Sequence, residues 1–274
     1  MQPATAYIAS DRRHFMAAGQ RVPEETIGAT LFADISGFTP LTSALVRVYG
    51  PRRGADELTR HLNRVYTALI SEVECYGGSV IGFSGDAITC WFAASVNAPL
   101  SPKSGMPSTV ADAVLYASTA ALAMQQVMQA LQIIQLQDGT TITLAIKTAV
   151  AAGPARRFAV GDPAIQLIDV LAGTTLDRMA ATEQMAQQGE LLLDAPTIAF
   201  IRDRATIAAW RAHPTTDQRF AVVTALQSRL TPVEKMPIAT LPENEASTWV
   251  LPPVYARLQN EGGRFLAELR PAVA

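Results

Sequence analysis

Gly28-Ala29-Thr30-Leu31-Phe32-Ala33-Asp34-Ile35, followed at once by Ser36-Gly37-Phe38-Thr39-Pro40, decides how this chain folds. The first segment is a short apolar run that meets a carboxylate near its end, the pattern of a buried strand. The second is a turn, and Thr39 and Pro40 suit the start of a helix. From Ala55 to Val73 the apolar positions Leu58, Leu62, Val65, Tyr66, Leu69, Ile70 and Val73 recur at three- and four-residue spacing, which predicts an amphipathic helix. Tyr76-Gly77-Gly78 ends it. Ser79-Val80-Ile81-Gly82-Phe83 then reads as a strand, Ser84-Gly85-Asp86 as a hairpin turn, and Ala87 to Phe92 as the returning strand.

Upstream, residues 1–26 read as a lead-in segment closed by Pro23 and two acids. Residues 96–109, rich in proline and serine, read as a surface loop. An Ala/Gln-rich helix is expected over about 110–135, a turn at Asp138-Gly139 and a strand over Thr141–Val150. Further strands are expected at Gln166–Val170, Glu190–Leu193 and Arg219–Leu226, with helices near 174–188 and 195–210. Residues 231–253, rich in Pro, Thr and Glu, read as a linker, and 254–269 as a short helix. Strands alternating with helices, with a hairpin among them, give an α/β or α+β sheet covered by helices.

Composition narrows the function. The 274 residues carry a net charge of −2 with Lys and Arg scattered, so no basic stripe exists to follow a nucleic-acid backbone. No apolar run is long and unbroken enough to span a bilayer, and Met1–Phe15 lacks the form of a signal peptide. Cys75 and Cys90 suggest structural thiols in a reducing cytoplasm. His14, His61 and His213 show no paired, metal-ligand spacing.

Asp34 ends one strand and Asp86 sits in a hairpin turn, 52 residues further on. Taken singly, each is an ordinary turn former or helix cap. In a β-α-α-β-β order, however, the first strand and the hairpin can lie side by side, which brings the two carboxylates together. Two carboxylates at one point repel unless they share a cation. Mg²⁺ accepts one or two carboxylates plus phosphate oxygens, so a nucleotide–Mg²⁺ site is their natural use. The loop Ser36-Gly37-Phe38-Thr39 leads into a helix N-terminus, where free N–H groups and the helix dipole favour phosphate, and Gly37 permits close backbone approach.

Leu31-Phe32-Ala33-Asp34-Ile35-Ser36-Gly37-Phe38-Thr39 resembles the first metal motif of the class III adenylate/guanylate cyclases. Gly77-Gly78-Ser79-Val80-Ile81-Gly82-Phe83-Ser84-Gly85-Asp86-Ala87 resembles the second. Gly54-Ala55-Asp56-Glu57-Leu58-Thr59-Arg60-His61-Leu62-Asn63 between them is similar to the bicarbonate-responsive soluble adenylyl cyclases and their bacterial relatives. The resemblance covers roughly residues 27–228. It implies an α+β fold with a ferredoxin-like βαββαβ cyclase core, a central sheet covered by helices, and a C-terminal linker segment. It divides the chain into a lead-in (1–26), a cyclase homology domain (27–230) and a linker with a short helix (231–274).

The resemblance also implies a mechanism. Two such domains pair head to tail around a shared site. Asp34 and Asp86, with the Ile35 backbone carbonyl, would hold two Mg²⁺ or Mn²⁺ ions, while Ser36, Gly37, Phe38 and Thr39 would bind phosphate and Gly85 would line the nucleotide. One ion activates the ribose 3′-hydroxyl and the other braces the triphosphate, which is two-metal phosphoryl chemistry. ATP is the expected substrate over GTP.

The family's complementary residues do not follow. Gly82 stands where its base-recognising Lys belongs and Val170 where its Asp belongs, with Asp169 one residue away. Asp177 and Ala181 stand at the Asn and Arg positions, and Arg178 is out of register. This pattern resembles the first, metal-donating domain of a tandem, whose second cyclase domain supplies the missing set. Phe265-Leu266-Ala267-Glu268-Leu269-Arg270-Pro271-Ala272-Val273 resembles the lead into such a second domain. Gly82 also replaces the lysine with which those enzymes bind bicarbonate, which argues against a bicarbonate response. The competing reading is a degenerate cyclase domain that binds nucleotide as a regulatory module. The Gly-Gly-Asp/Glu-Glu-Phe signature of diguanylate cyclases is absent, and Ile35-Ser36 after Asp34 excludes an Asp-x-Asp phosphatase.

Overall fold

A computed structural model describes residues 3–94, 108–227, 230, 232 and 241–261. After a 3-10 turn at Pro3–Tyr7 and helix α1 (Ser10–Ala17), strand β1 (Glu25–Ser36) runs into α2 (Phe38–Tyr49) and α3 (Pro51–Cys75). The hairpin β2 (Ser79–Ser84) and β3 (Ala87–Ala93) follows, then α4 (Val110–Leu131). The remaining elements are β4 (Ile133–Gln135), β5 (Thr141–Thr143), β6 (Ala145–Asp162), β7 (Gln166–Ala172), α5 (Thr174–Met185), β8 (Leu191–Asp194), α6 (Ala195–Ile198), β9 (Ala205–Ala212), β10 (Arg219–Leu226), α7 (Glu243–Ser247) and α8 (Pro252–Glu261).

The main sheet has the order β2-β3-β1-β6-β8-β10-β9, with β7 paired to the outer half of β6. Its pairings are antiparallel except β6 with β8. β1 lies inside the sheet because its alternate residues Ala29, Leu31, Ala33 and Ile35 are fully buried. The amphipathic spacing of α3 buries Leu58, Val65, Tyr66, Leu69 and Val73 against the same core. Helix α4 opens with a capping box in which Thr109 and Asp112 satisfy each other's backbone N–H groups. The result is an α+β fold, a mixed sheet flanked by helices.

Three expectations need correction. The helix expected over 110–135 stops at Leu131, and Ile133–Gln135 pairs with Thr141–Thr143 as a small separate ribbon. The strand expected to end at Val150 continues to Asp162 through Gly153-Pro154. Proline normally breaks a ladder, but Pro154 falls where β6 changes neighbour, after its pairing with β8 (Thr148–Val150) and before its pairing with β7 (Arg156–Asp162). Finally, the helix expected near 195–210 is a four-residue turn, and Ala205–Ala212 is a strand. Its alanines favour a helix, but pairing with β10 and the packing of Ala205 and Ile207 on the core override that preference.

The terminal segments meet. Ala4 and Ile8 share a second small core with Leu241, Ala246, Trp249, Val250 and Leu258. The Thr248 carbonyl accepts from the Leu167 N–H of β7 at 2.7 Å. Most of the expected loop at 96–109, and the tail beyond residue 261, lie outside the described residues.

Candidate active site

Asp34 is the last β1 residue paired with β3, directly opposite Ala87, so Asp86 is one residue from its cross-strand partner. The hairpin turn that carries Asp86 has only two residues. Gly85 takes φ +61° while Asp86 does not leave the ordinary region, the form that puts glycine first in a tight hairpin. Tyr66 of α3 holds this turn in place, donating its hydroxyl to the Asp86 carbonyl at 3.2 Å. Its ring stacks on Phe38 at 5.9 Å and meets Phe83 edge-on at 5.5 Å, which ties the α2 start, α3 and the hairpin together. Burial pushes the Tyr66 phenol up to about 12, and the charges of Asp86 and Asp34 add to that rise. Both carboxylates therefore act on one phenol.

Beyond Asp34, β1 pairs only with β6: Ile35 opposite Ile146 and Ser36 opposite Ala145. Ser36 Oγ accepts from Gln188 Nε2 at 2.8 Å. Gly37 caps α2 at φ +106°, and a Cβ there would lie 2.6 Å from the Thr143 carbonyl oxygen. Only glycine suits that position. The helix starts at Phe38, one residue before the expected Thr39-Pro40 start. Pro40 has no N–H, so the donors that this end can aim at a ligand come from Gly37, Phe38 and Thr39. Phe38 itself is buried and Thr39 exposed.

The structure adds two residues that sequence reading missed. Lys147 lies opposite Asp34 on β6, with Nζ 3.3 Å from the Asp34 carboxylate and 2.6 Å from Glu183 of α5. Burial works against its ammonium, but the hydrogen bonds and charges of Glu183 and Asp34 outweigh that and hold its pKa above the usual value. Among the described residues, no group of three or more His, Cys, Asp and Glu could cage a metal. A divalent ion here would depend on two carboxylates, with backbone and ligand oxygens completing its shell. That donor set suits Mg²⁺, which seldom uses an all-protein cage.

The complementary positions look different. A Cβ on Gly82 would meet nothing within 4 Å. Gly82→Lys is therefore expected to leave stability within about 0.5 kcal/mol, checked by thermal unfolding. Asp169 is buried in a bidentate pair with Arg12 (2.7 and 2.7 Å) and a second pair with Arg157. Arg178 is held by Asp194 at 2.6 and 2.9 Å and also donates to Thr197 and the Ala152 carbonyl. A cleft of about 420 Å³ beside Arg178, Asp194, Asp217 and Arg219 lies at the opposite end of β8 from Lys147.

No protein-family model matches the chain. It is 25% identical over 200 residues to adenylate cyclase type 10 of Rattus norvegicus, which covers 73% of this chain and 11% of that protein. It is 38% identical over 61 residues to the Homo sapiens protein of the same name, which covers 22% of this chain and 4% of that one. The chain thus spans about a tenth of the first of these relatives. Among solved structures, the adenylyl cyclase CyaB from P. aeruginosa superposes with a TM-score of 0.57 at 20% identity, covering 73% of this chain and 95% of that one. The guanylate cyclase domain of RhGC from Catenaria anguillulae, in complex with GTP, gives 0.54 at 18% identity, covering 74% and 100%. Among the described residues, no helix is long and apolar enough to cross a membrane. A sequence homologue of adenylate cyclase type 10, the chain has the fold of the class III adenylyl and guanylyl cyclase catalytic domains.

Proposed function

We propose that this chain is the metal-donating half of a class III nucleotide cyclase, which forms a 3′,5′-cyclic nucleotide and pyrophosphate from a nucleoside triphosphate at an interface with a second cyclase domain. The observation that carries it is Asp34 opposite Ala87, the neighbour of Asp86, with both carboxylates acting on Tyr66, beside a glycine-capped helix start, on a cyclase fold. In this reading residues 27–230 are the cyclase domain and 231–274 lead towards the second one, in the cytoplasm. Asp34, Asp86 and the Ile35 carbonyl hold Mg²⁺ or Mn²⁺, which would supply charge stabilisation at the phosphates and activation of the attacking hydroxyl. The backbone from Ser36 to Thr39 orients phosphate oxygens, and Gly85 keeps the hairpin low beside the nucleotide. The relationship to adenylate cyclase type 10 favours ATP and cyclic AMP.

The partner supplies base recognition and the transition-state residues. Gly82, Val170, Asp177 and Ala181 offer no such groups, while Asp169 and Arg178 are committed to internal ion pairs. A transition-state arginine in phosphoryl transfer is worth about 10³-fold or more. Residues 1–274 alone are therefore expected to be nearly inactive. The test measures cyclic AMP and cyclic GMP formed with Mn²⁺ by the chain alone and mixed with the cyclase domain proposed to follow it. Activity only in the mixture supports the proposal, and substantial activity of the chain alone overturns the half-site reading. The committed Asp169 and Arg178 also favour a second reading, a regulatory module that binds nucleotide without converting it. Silence of the mixture, with Mn²⁺-dependent nucleotide binding retained, would select it.

A further inference from the structure

The Asp34 carboxylate already has a cation beside it. Lys147 Nζ stands 3.3 Å from Asp34 and 2.6 Å from Glu183, so one ammonium bridges two carboxylates on different elements. All three side chains are partly exposed, at 25% for Lys147, 34% for Asp34 and 21% for Glu183. They can therefore shift without repacking the core. A lysine ammonium is a compact charge on a flexible four-carbon stem, suited to moving between two acceptors. The contact to Glu183 is the shorter. Nothing in the proposed metal chemistry needs Glu183, yet it holds Lys147, the residue opposite Asp34 on β6.

We infer that Glu183 is a positioning residue for the metal site: it draws Lys147 away from Asp34, and this transfer sets how tightly a divalent ion is held. The inference rests on reading Asp34 and Asp86 as metal ligands. With Glu183 in place, Lys147 leans onto α5 and Asp34 is left for the ion. With Glu183 replaced by a neutral side chain, Lys147 closes fully on Asp34 and competes with the ion. With Lys147 gone, Glu183 loses its means of action.

That last point separates a transfer from a plain sum of charges. Mn²⁺ is titrated into the full chain and free Mn²⁺ is read by electron paramagnetic resonance. Lys147→Met is expected to tighten binding, and Glu183→Gln to weaken it, each by about threefold to fivefold, the scale of a partly exposed ion pair. The double variant is expected to match Lys147→Met alone, because the two effects share one ammonium. A double variant that instead returns to the wild-type affinity shows simple addition of charges and overturns the inference, as do single variants that leave the affinity unchanged. Asp34→Asn and Asp86→Asn test the underlying reading separately. Mn²⁺ binding indifferent to both removes the metal site and the inference with it. Binding lost in both, with an additive cycle at Lys147 and Glu183, removes the inference alone. Far-ultraviolet circular dichroism of each variant checks that the fold is retained.

Discussion

Asp34→Asn is expected to lower cyclic-nucleotide formation by the chain and its partner domain about 10³-fold, close to 4 kcal/mol of transition-state stabilisation. The substitution keeps the size of the side chain, removes its charge and exchanges one acceptor oxygen for an NH2 donor. Asp34 is about one-third exposed and its ion pair with Lys147 is of the part-exposed kind. Such a pair contributes about 0–1 kcal/mol to folding. The melting temperature should therefore hardly move while activity collapses. Tyr66→Phe makes the graded comparison. It keeps the ring against Phe38 and Phe83 but loses the bond to the Asp86 carbonyl. Its cost should be about 1 kcal/mol in stability, with a much smaller loss of rate. Equal losses from the two substitutions would mean that Asp34 acts by holding the local fold and not through its charge.

What the sequence disclosed follows the range of the interactions. Asp34 with its glycine loop and Asp86 with its hairpin are each encoded within a few residues, so turn chemistry and apolar spacing locate both. Their meeting follows from the β-α-α-β-β order. Lys147 and Glu183 are a different case, because β1 and β6 are adjacent although more than a hundred residues separate Asp34 from Lys147. Only the register of that pairing shows which residue faces Asp34. One signal was present: Lys147 is the lone charge between Thr141 and Val150. Tyr66 was visible as a core position of α3 but not as the anchor of Asp86, since helix spacing says nothing about where a hydroxyl reaches. The misread Ala205–Ala212 segment shows the same limit. Its composition is helical, and a partner strand decides otherwise.

Arg157→Met is expected to destabilise the protein by about 3–5 kcal/mol, the cost of breaking a buried ion pair from one side. Arg157 is 2% exposed and is forked between Asp11 of α1 and Asp169 of β7. Arg12 pairs with the same Asp169 and lies over Trp249 at 5.1 Å. The cluster thus fastens both terminal segments to the β6–β7 hairpin. Without Arg157, Asp11 keeps its charge but loses its counter-ion, while Asp169 is left with Arg12 alone. The second core is small and separate from the main one, so residues 3–17 and 241–258 should come away first. Urea denaturation followed by tryptophan fluorescence should then split into two steps, the earlier one from Trp249. pH gives an independent check. Burial alone would raise the Asp11 pKa, but the Arg157 charge, together with hydrogen bonds from Arg157, Arg12 and Ser79, holds it below the usual carboxylate value. A carboxyl depressed in the folded state stabilises above its unfolded pKa of about 3.9, and that stabilisation is lost as pH falls through the lower folded value. The gap between wild type and Asp11→Asn should therefore be full at pH 7 and shrink below about pH 4. A single unfolding step at the wild-type midpoint for Arg157→Met would mean that apolar packing alone holds the termini. The fully buried guanidinium between two carboxylates argues against that outcome, because methionine would leave Asp11 facing a space from which its counter-charge has gone and Asp169 with Arg12 alone.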